Sequence, residues 1–404
     1  MSSLLPSDRW AALRAHFEEN FTERGELGAA VSIWRDGEEV VSLAGGAKDR
    51  TPDSAPFTAA TPVLFWSVTK ALASACVLHV LQTDGIELET RVSALWPEFA
   101  QAGKEAITLA QVLSHQAGLA ALDDPRAVDI RDHAAVARAL AAQTPNWPPG
   151  SAHGYHPRTF GSLLDEILRR RRPGSTVGSY WRENFAEPLA LDVYIGLPPE
   201  IADDAVAPIF TPRTPSPATG ERPGDEADAF RAALAEEGSL TRRAFASPSG
   251  LHAVRDLNTP AARRAELPSL GGIGTAHGLA KFYALLAGDG TGEGRTFFQP
   301  DTLRAMRTTL ANGPDRVLRL PTAFSAGFMQ DPVDPQTGKK LRQLFGPSPR
   351  AFGQPGAGGA HAFADPDTGT AFAYVMNQME PGLLPNEKSL GLVAAYYAAQ
   401  AAAI

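Results

Sequence analysis

The chain has 404 residues, 44% of them hydrophobic, and a formal net charge of −8. That is enough apolar material for a large core, and the acidic balance disfavours nucleic acid or an anionic membrane surface as a partner. Its single cysteine, Cys76, excludes an internal disulfide and a thiolate metal cluster, and it sits on an apolar helical pattern that predicts buried packing.

The chain opens with an amphipathic helical pattern through Trp10, Leu13, Phe17 and Phe21, without the basic segment and apolar run of a secretory signal. No window of about 18 apolar residues occurs, so no membrane span is expected, and the chain reads as soluble and cytoplasmic. Residues 29–35 and 38–44 flank Asp36-Gly37, a strong hairpin signal. Helical spacing of apolar residues follows over 69–81, 109–113, 133–142, 159–170 and 275–286. Arg169, Arg170, Arg171 and Arg172 fall at a helix end, where cations suit the helix dipole. Proline-rich interruptions lie at 145–150 and 208–223, the second reading as an exposed irregular loop. A second hairpin is predicted from 360–364 and 371–377 around a turn at 365–369, and an alanine-rich helix at 387–402 closes the chain.

Strands at both ends therefore bracket a helical middle. The expected class is α+β: an antiparallel sheet domain from 1–62 and 290–404, flanked by terminal helices, with a mostly helical domain at 63–289 inserted and a cleft between them.

Several chemistries are missing. There is no Gly-x-Ser-x-Gly elbow, no His-Glu-x-x-His, no phosphate loop and no dinucleotide fingerprint. No metal or cofactor is expected. His115, His252 and His277 each stand alone in the sequence and read as structural or surface residues.

The sharpest signal is Phe65-Trp66-Ser67-Val68-Thr69-Lys70, ahead of an apolar helix. A serine at a helix start and a lysine three residues on share one face, so the amine can take the hydroxyl proton if burial or nearby positive charge lowers its pKa. Tyr155 follows the turn Pro148-Pro149-Gly150 and can relay a proton from a loop, provided Lys70 lowers its pKa. In Phe352-Gly353-Gln354-Pro355-Gly356-Ala357-Gly358-Gly359, glycines beside a strand mean close backbone approach to a substrate or to another segment.

These pieces, in this order, resemble the serine β-lactamase and penicillin-binding superfamily, closest to class C β-lactamases and family VIII carboxylesterases. Leu113-Ser114-His115-Gln116-Ala117-Gly118-Leu119, Tyr155-His156-Pro157-Arg158, Gly271-Gly272-Ile273-Gly274 and Phe363-Ala364-Asp365-Pro366 extend the likeness over most of the chain. The resemblance implies that Ser67 forms an acyl-enzyme on a small carboxylic ester, Lys70 takes its proton, and Tyr155 passes a proton to the leaving alcohol. It also implies an oxyanion hole from the backbone N–H groups of Ser67 and Ala357, and substrate contacts from Trp66, His156, Gln354, Gly356 and Gly358. Two departures stand out. Pro157 replaces the asparagine usual two residues after the tyrosine, and Gln354-Pro355-Gly356 replaces Lys-Thr-Gly or His-Thr-Gly. Loss of that cation favours neutral esters over acidic β-lactams or peptide termini; His361 is the nearest alternative cation. A β-lactamase, a D-amino peptidase or an acyltransferase shares the same reacting set, and a non-catalytic ligand-binding protein is the alternative of another class. The pocket walls are expected from the region near 200–260. Oligomeric state stays open.

Overall fold

The computed structural model describes residues 8–124, 126, 128–211 and 225–402; most of the proline-rich stretch at 208–223 lies outside the described residues. Asp36 and Gly37 both take positive φ (50° and 86°), as a tight primed turn requires, and they join strands β1 (Gly28–Arg35) and β2 (Glu38–Gly46). The later strands are β3 (Ala311–Pro314), β4 (Pro321–Phe324), β5 (Met329–Gln330), β6 (Phe352–Pro355), β7 (His361–Asp365) and β8 (Thr370–Met376). They form one eight-stranded sheet in the order β2-β1-β8-β7-β6-β5-β4-β3, so the two chain ends meet where β1 pairs antiparallel with β8.

Both faces of this sheet are covered, and β8 is buried at every position. Side chains directly opposite each other in a ladder share a face. Trp34 pairs with Ala371, and its ring lies 5.4 Å from that of His277. The face carrying Ala371, Ala373 and Val375 is thus the one covered by a helix at Ala276–Ala287, which packs on β1, β7 and β8. The alternate face carries Thr370, Phe372 and Tyr374, and it meets the terminal helices. The Thr370 Oγ1 lies 3.1 Å from the Tyr396 hydroxyl, and Trp10 stacks on Tyr396 at 5.3 Å. A domain boundary at 289 places the helix at 276–287 in the helical middle, whereas this helix packs on the sheet.

The helices that frame the sheet and the site are α1 (Ala11–Thr22), α2 (Thr69–Asp84), α3 (Thr159–Arg171), α4 (the Ala276–Ala287 helix) and α5 (Glu387–Ala401). α1 and α5 pack on each other. α2 is buried on nearly all sides from Thr69 to Leu81, as an apolar helix inside a core must be, and it ends on Gly85 at φ 64°. It packs on α3. The arginine run at the end of α3 is held by carboxylates: Arg169 by Asp165, Arg170 by Glu166 and Glu98, Arg171 and Arg172 by Asp84. Cys76 is buried within α2. Among the described residues no helix is long and apolar enough to cross a membrane.

Candidate active site

Ser67 lies in a single 3-10 turn, Trp66–Val68, that runs directly into α2. The turn is tight enough to hold Trp66 at φ 51°, an uncommon conformation for a large side chain. A three-stranded sheet behind it, Val63–Leu64, Gly272–Gly274 and Val193–Ile195, fixes its position. Phe65 N–H donates to the Gly272 carbonyl at 3.0 Å, and Thr69 Oγ1 accepts from Gly272 N–H at 2.8 Å. Gly272 is required there, because a Cβ would sit 2.2 Å from the Phe65 ring.

Lys70, one turn into the helix, is fully buried. Its Nζ lies 3.3 Å from Ser67 Oγ, 2.8 Å from the Pro157 carbonyl oxygen and 2.6 Å from the Ser269 carbonyl oxygen. Burial, and then the positive charge of Arg158, hold its pKa well below the ordinary lysine range. A neutral amine has two N–H bonds and one lone pair. Two carbonyls take the N–H bonds, which leaves the lone pair for the Ser67 hydroxyl.

Tyr155 is buried with its ring centroid 4.9 Å from Lys70 Nζ, and it lines the same pocket as Ser67. The Gln354 amide lies 3.4 Å from the phenol oxygen, a weak contact. The sequence reading required Lys70 to lower this phenol's pKa. The structure differs: burial raises it, and the neighbouring Ser67 side chain offsets only part of that rise. The phenol is therefore a neutral donor at rest.

The loop bearing Tyr155 is tied down by the Leu113–Leu119 segment, one of those that extend the family likeness. Gly154 N–H donates to the His115 carbonyl at 3.1 Å, and His115 Nδ1 accepts from His156 N–H at 3.1 Å. The His115 ring lies 5.1 Å from that of Tyr155. His156 is wholly buried, accepts from Leu119 N–H at 3.0 Å through Nε2, and has its pKa pushed down to about 3 by burial. It supports the loop and lies outside the pocket wall, so its expected substrate contact is corrected to a structural one.

On the other side, β6 ends against the serine turn. A Cβ on Gly356 would meet the Phe65 carbonyl oxygen at 2.3 Å, and one on Gly358 (φ 82°) would meet the Met379 side chain at 2.7 Å. The close approaches made by these glycines are to the protein itself, and neither lines the pocket. Their effect is to set Ala357 beside Ser67. Ser67 and Ala357 each lie in the opening turn of a helical segment, where N–H groups have no intrahelical acceptor. Both residues line the same pocket.

The pocket itself is a cavity of about 180 Å³ lined by Ser67, Tyr155, Ala357, Trp66 and Gln354, with Leu270, Leu318, Met329, Leu383 and Leu384 as apolar walls. Phe245, Leu251 and His252 also line it, from the region near 200–260 expected to supply a wall. His252, read from the sequence as structural or surface, thus faces the pocket; a lone histidine in a loop carries no pattern that could have shown it. Arg158 lines it too; its Nε donates to the Pro248 carbonyl at 2.8 Å, and burial lowers its pKa to about 10. His277 instead meets Glu39 of β2 at 3.1 Å, at the other end of the strand order from the pocket. His361 is buried among Phe345, Phe363 and Phe372, and burial lowers its pKa to about 3, so it supplies no cation in place of Gln354.

A serine beneath a strand edge, a buried lysine on the same helix and a tyrosine on a facing loop, between an antiparallel sheet and a helical insertion, define the β-lactamase class of fold. The chain belongs to the Beta-lactamase family, whose profile matches residues 13–395. It is 31% identical over 402 residues to the "Esterase/beta-lactamase LipL" of Mycobacterium tuberculosis, covering 98% of this chain and 87% of that protein. Among solved structures, a penicillin-binding protein homologue from Caulobacter crescentus is 38% identical with a TM-score of 0.82, covering 99% of this chain and 100% of the other. A family VIII carboxylesterase is 31% identical with a TM-score of 0.84, at the same coverages.

Proposed function

We propose that the protein is a serine hydrolase that cleaves small carboxylic esters through an acyl-enzyme, with Ser67 as nucleophile, Lys70 as base and Tyr155 as proton shuttle. The observation that carries this reading is the 3.3 Å approach of a fully buried lysine Nζ to Ser67 Oγ, with the remaining N–H bonds of the amine directed to two carbonyls. In acylation, Lys70 accepts the hydroxyl proton as Oγ bonds to the carbonyl carbon. The Ser67 and Ala357 N–H groups donate to the developing oxyanion. The bond to the leaving alkoxide then breaks, Tyr155 gives that oxygen its proton, and the Lys70 ammonium restores the phenol. Water enters by the reverse relay to release the acid.

The walls support neutral, apolar esters: Gln354 stands where a cation would hold an acidic group, and the lining is dominated by leucine, methionine and aromatic side chains. The names of two relatives, an esterase/beta-lactamase and a family VIII carboxylesterase, support ester hydrolysis. A β-lactamase, D-amino peptidase or acyltransferase would use the same first step and differ in what reaches the acyl-enzyme; a non-catalytic binder would have no need of a buried amine against the hydroxyl. A cytoplasmic, cofactor-free enzyme is part of the same reading. Ser67→Ala tests it: hydrolysis of short p-nitrophenyl esters should vanish while the circular dichroism spectrum is kept, and unchanged turnover would reject it.

A further inference from the structure

Asp315 is buried in the loop between β3 and β4, and everything around its carboxylate donates to it. Tyr155 N–H lies 3.1 and 2.9 Å from its two oxygens. Val317 N–H and Leu318 N–H each donate to Oδ1 at 2.8 Å, and Thr322 Oγ1 lies 3.0 Å from Oδ2. A carboxylate only accepts, so the Thr322 hydroxyl must donate to it. That hydroxyl lies 3.0 Å from His153 Nε2 and therefore accepts from an Nε2–H. A protonated acid would place one more donor among donors, so the cluster fits the ionised form. Burial raises the carboxyl pKa, and the hydrogen bonds from Leu318, Val317 and Tyr155, with His153 nearby, oppose that rise.

The carboxylate thus joins the backbone of the tyrosine loop to the loop that presents Leu318 to the pocket. No other side chain accepts from the Tyr155 N–H among the described residues. We infer that Asp315 is the positioning residue of Tyr155, holding the phenol where it must stand to protonate the leaving alkoxide. The inference rests on the esterase reading above and adds a residue that no motif in the chain marks.

A residue that positions the leaving-group acid has a signature that a packing residue lacks. p-Nitrophenolate leaves without much help, whereas ethoxide needs its proton. The measurement is kcat/KM for p-nitrophenyl butyrate and ethyl butyrate, which share an acyl group, in the wild-type enzyme, Asp315→Asn and Thr322→Val. Asp315→Asn puts an amide N–H₂ against the Tyr155 N–H. It should lose on the order of tenfold more rate on the ethyl ester than on the p-nitrophenyl ester, a fraction of the full effect of general acid catalysis. Thr322→Val removes one donor and leaves the others, so it should fold if Asp315→Asn does not, and show the same bias at smaller size; Thr322→Ser should restore the wild-type ratio. Equal losses on the two esters in either variant would overturn the role of Asp315 and leave the esterase reading standing. Wild-type-like hydrolysis by Ser67→Ala, run alongside, would overturn both.

Discussion

The Pro157 carbonyl oxygen accepts from Lys70 Nζ at 2.8 Å, from the position two residues after Tyr155. With the Ser269 carbonyl at 2.6 Å it takes up the N–H bonds of a neutral amine, so the lone pair is oriented at Ser67 without any side-chain partner. A backbone acceptor cannot ionise, and it adds no negative charge that would hold Lys70 protonated. The pKa of Lys70 is then set by burial and Arg158.

The first consequence is kinetic. Since the neutral amine is the base, kcat/KM should rise with pH through a limb that lies below the ordinary lysine value of 10.5. Lys70→Ala should remove that limb and lower kcat/KM by roughly 10²–10⁴-fold. Lys70→Ala combined with Tyr155→Phe should cost little more than either alone, because the residues act as one relay. A pH–rate series on a p-nitrophenyl ester checks both points.

The second concerns stability. A lysine whose folded pKa is depressed binds its proton more tightly when unfolded, so its contribution to stability rises with pH between the folded and unfolded values and is unfavourable below them. Wild-type Tm should therefore gain on that of Lys70→Met as the pH rises toward the ordinary lysine value of 10.5. Parallel Tm curves would contradict a buried, depressed Lys70.

The third follows from the approach of β6 to the serine turn. Gly356→Ala places a methyl group 2.3 Å from the Phe65 carbonyl oxygen, which is backbone and has no rotamer to yield. The strand must shift and carry Ala357 away from Ser67. Loss of one oxyanion donor costs roughly 10²–10³-fold in kcat, and the variant should show that loss with KM little changed. Unaltered kcat would separate Ala357 from the oxyanion hole.

The fourth tests the neutral third motif. Gln354→Lys would restore a cation to the pocket wall. Charge-assisted hydrogen bonds contribute about 1.5–3 kcal/mol, so the ratio of nitrocefin to neutral-ester kcat/KM should rise by on the order of tenfold to a hundredfold. A ratio that stays level would mean that Gln354 does not set this preference.

How much of this was legible beforehand depends on element length and on the reach of each contact. Both hairpins and the long helices were readable, because Asp36-Gly37 fixes a turn and ten or more residues give periodicity time to show. The strands β3, β4 and β5 were not. Met329–Gln330 is two residues long, and Ala311–Pro314 contains glycine and proline. They are strands because neighbours in the sheet pair with them. The Ser67, Lys70 and Tyr155 positions were legible from spacing and resemblance. Asp315, His252 and the packing roles of His156, Gly356 and Gly358 were not, since each depends on what a distant segment brings within reach.

Hydrolysis by this route passes through a covalent bond to one atom, Ser67 Oγ. Intact-protein mass spectrometry, after rapid acid quench of the enzyme with a p-nitrophenyl ester, reads it directly. A single added acyl mass is expected, mapping by peptide analysis to Ser67 and absent from Ser67→Ala. Turnover of the ester with an adduct on any other residue, or full turnover by Ser67→Ala, would contradict it.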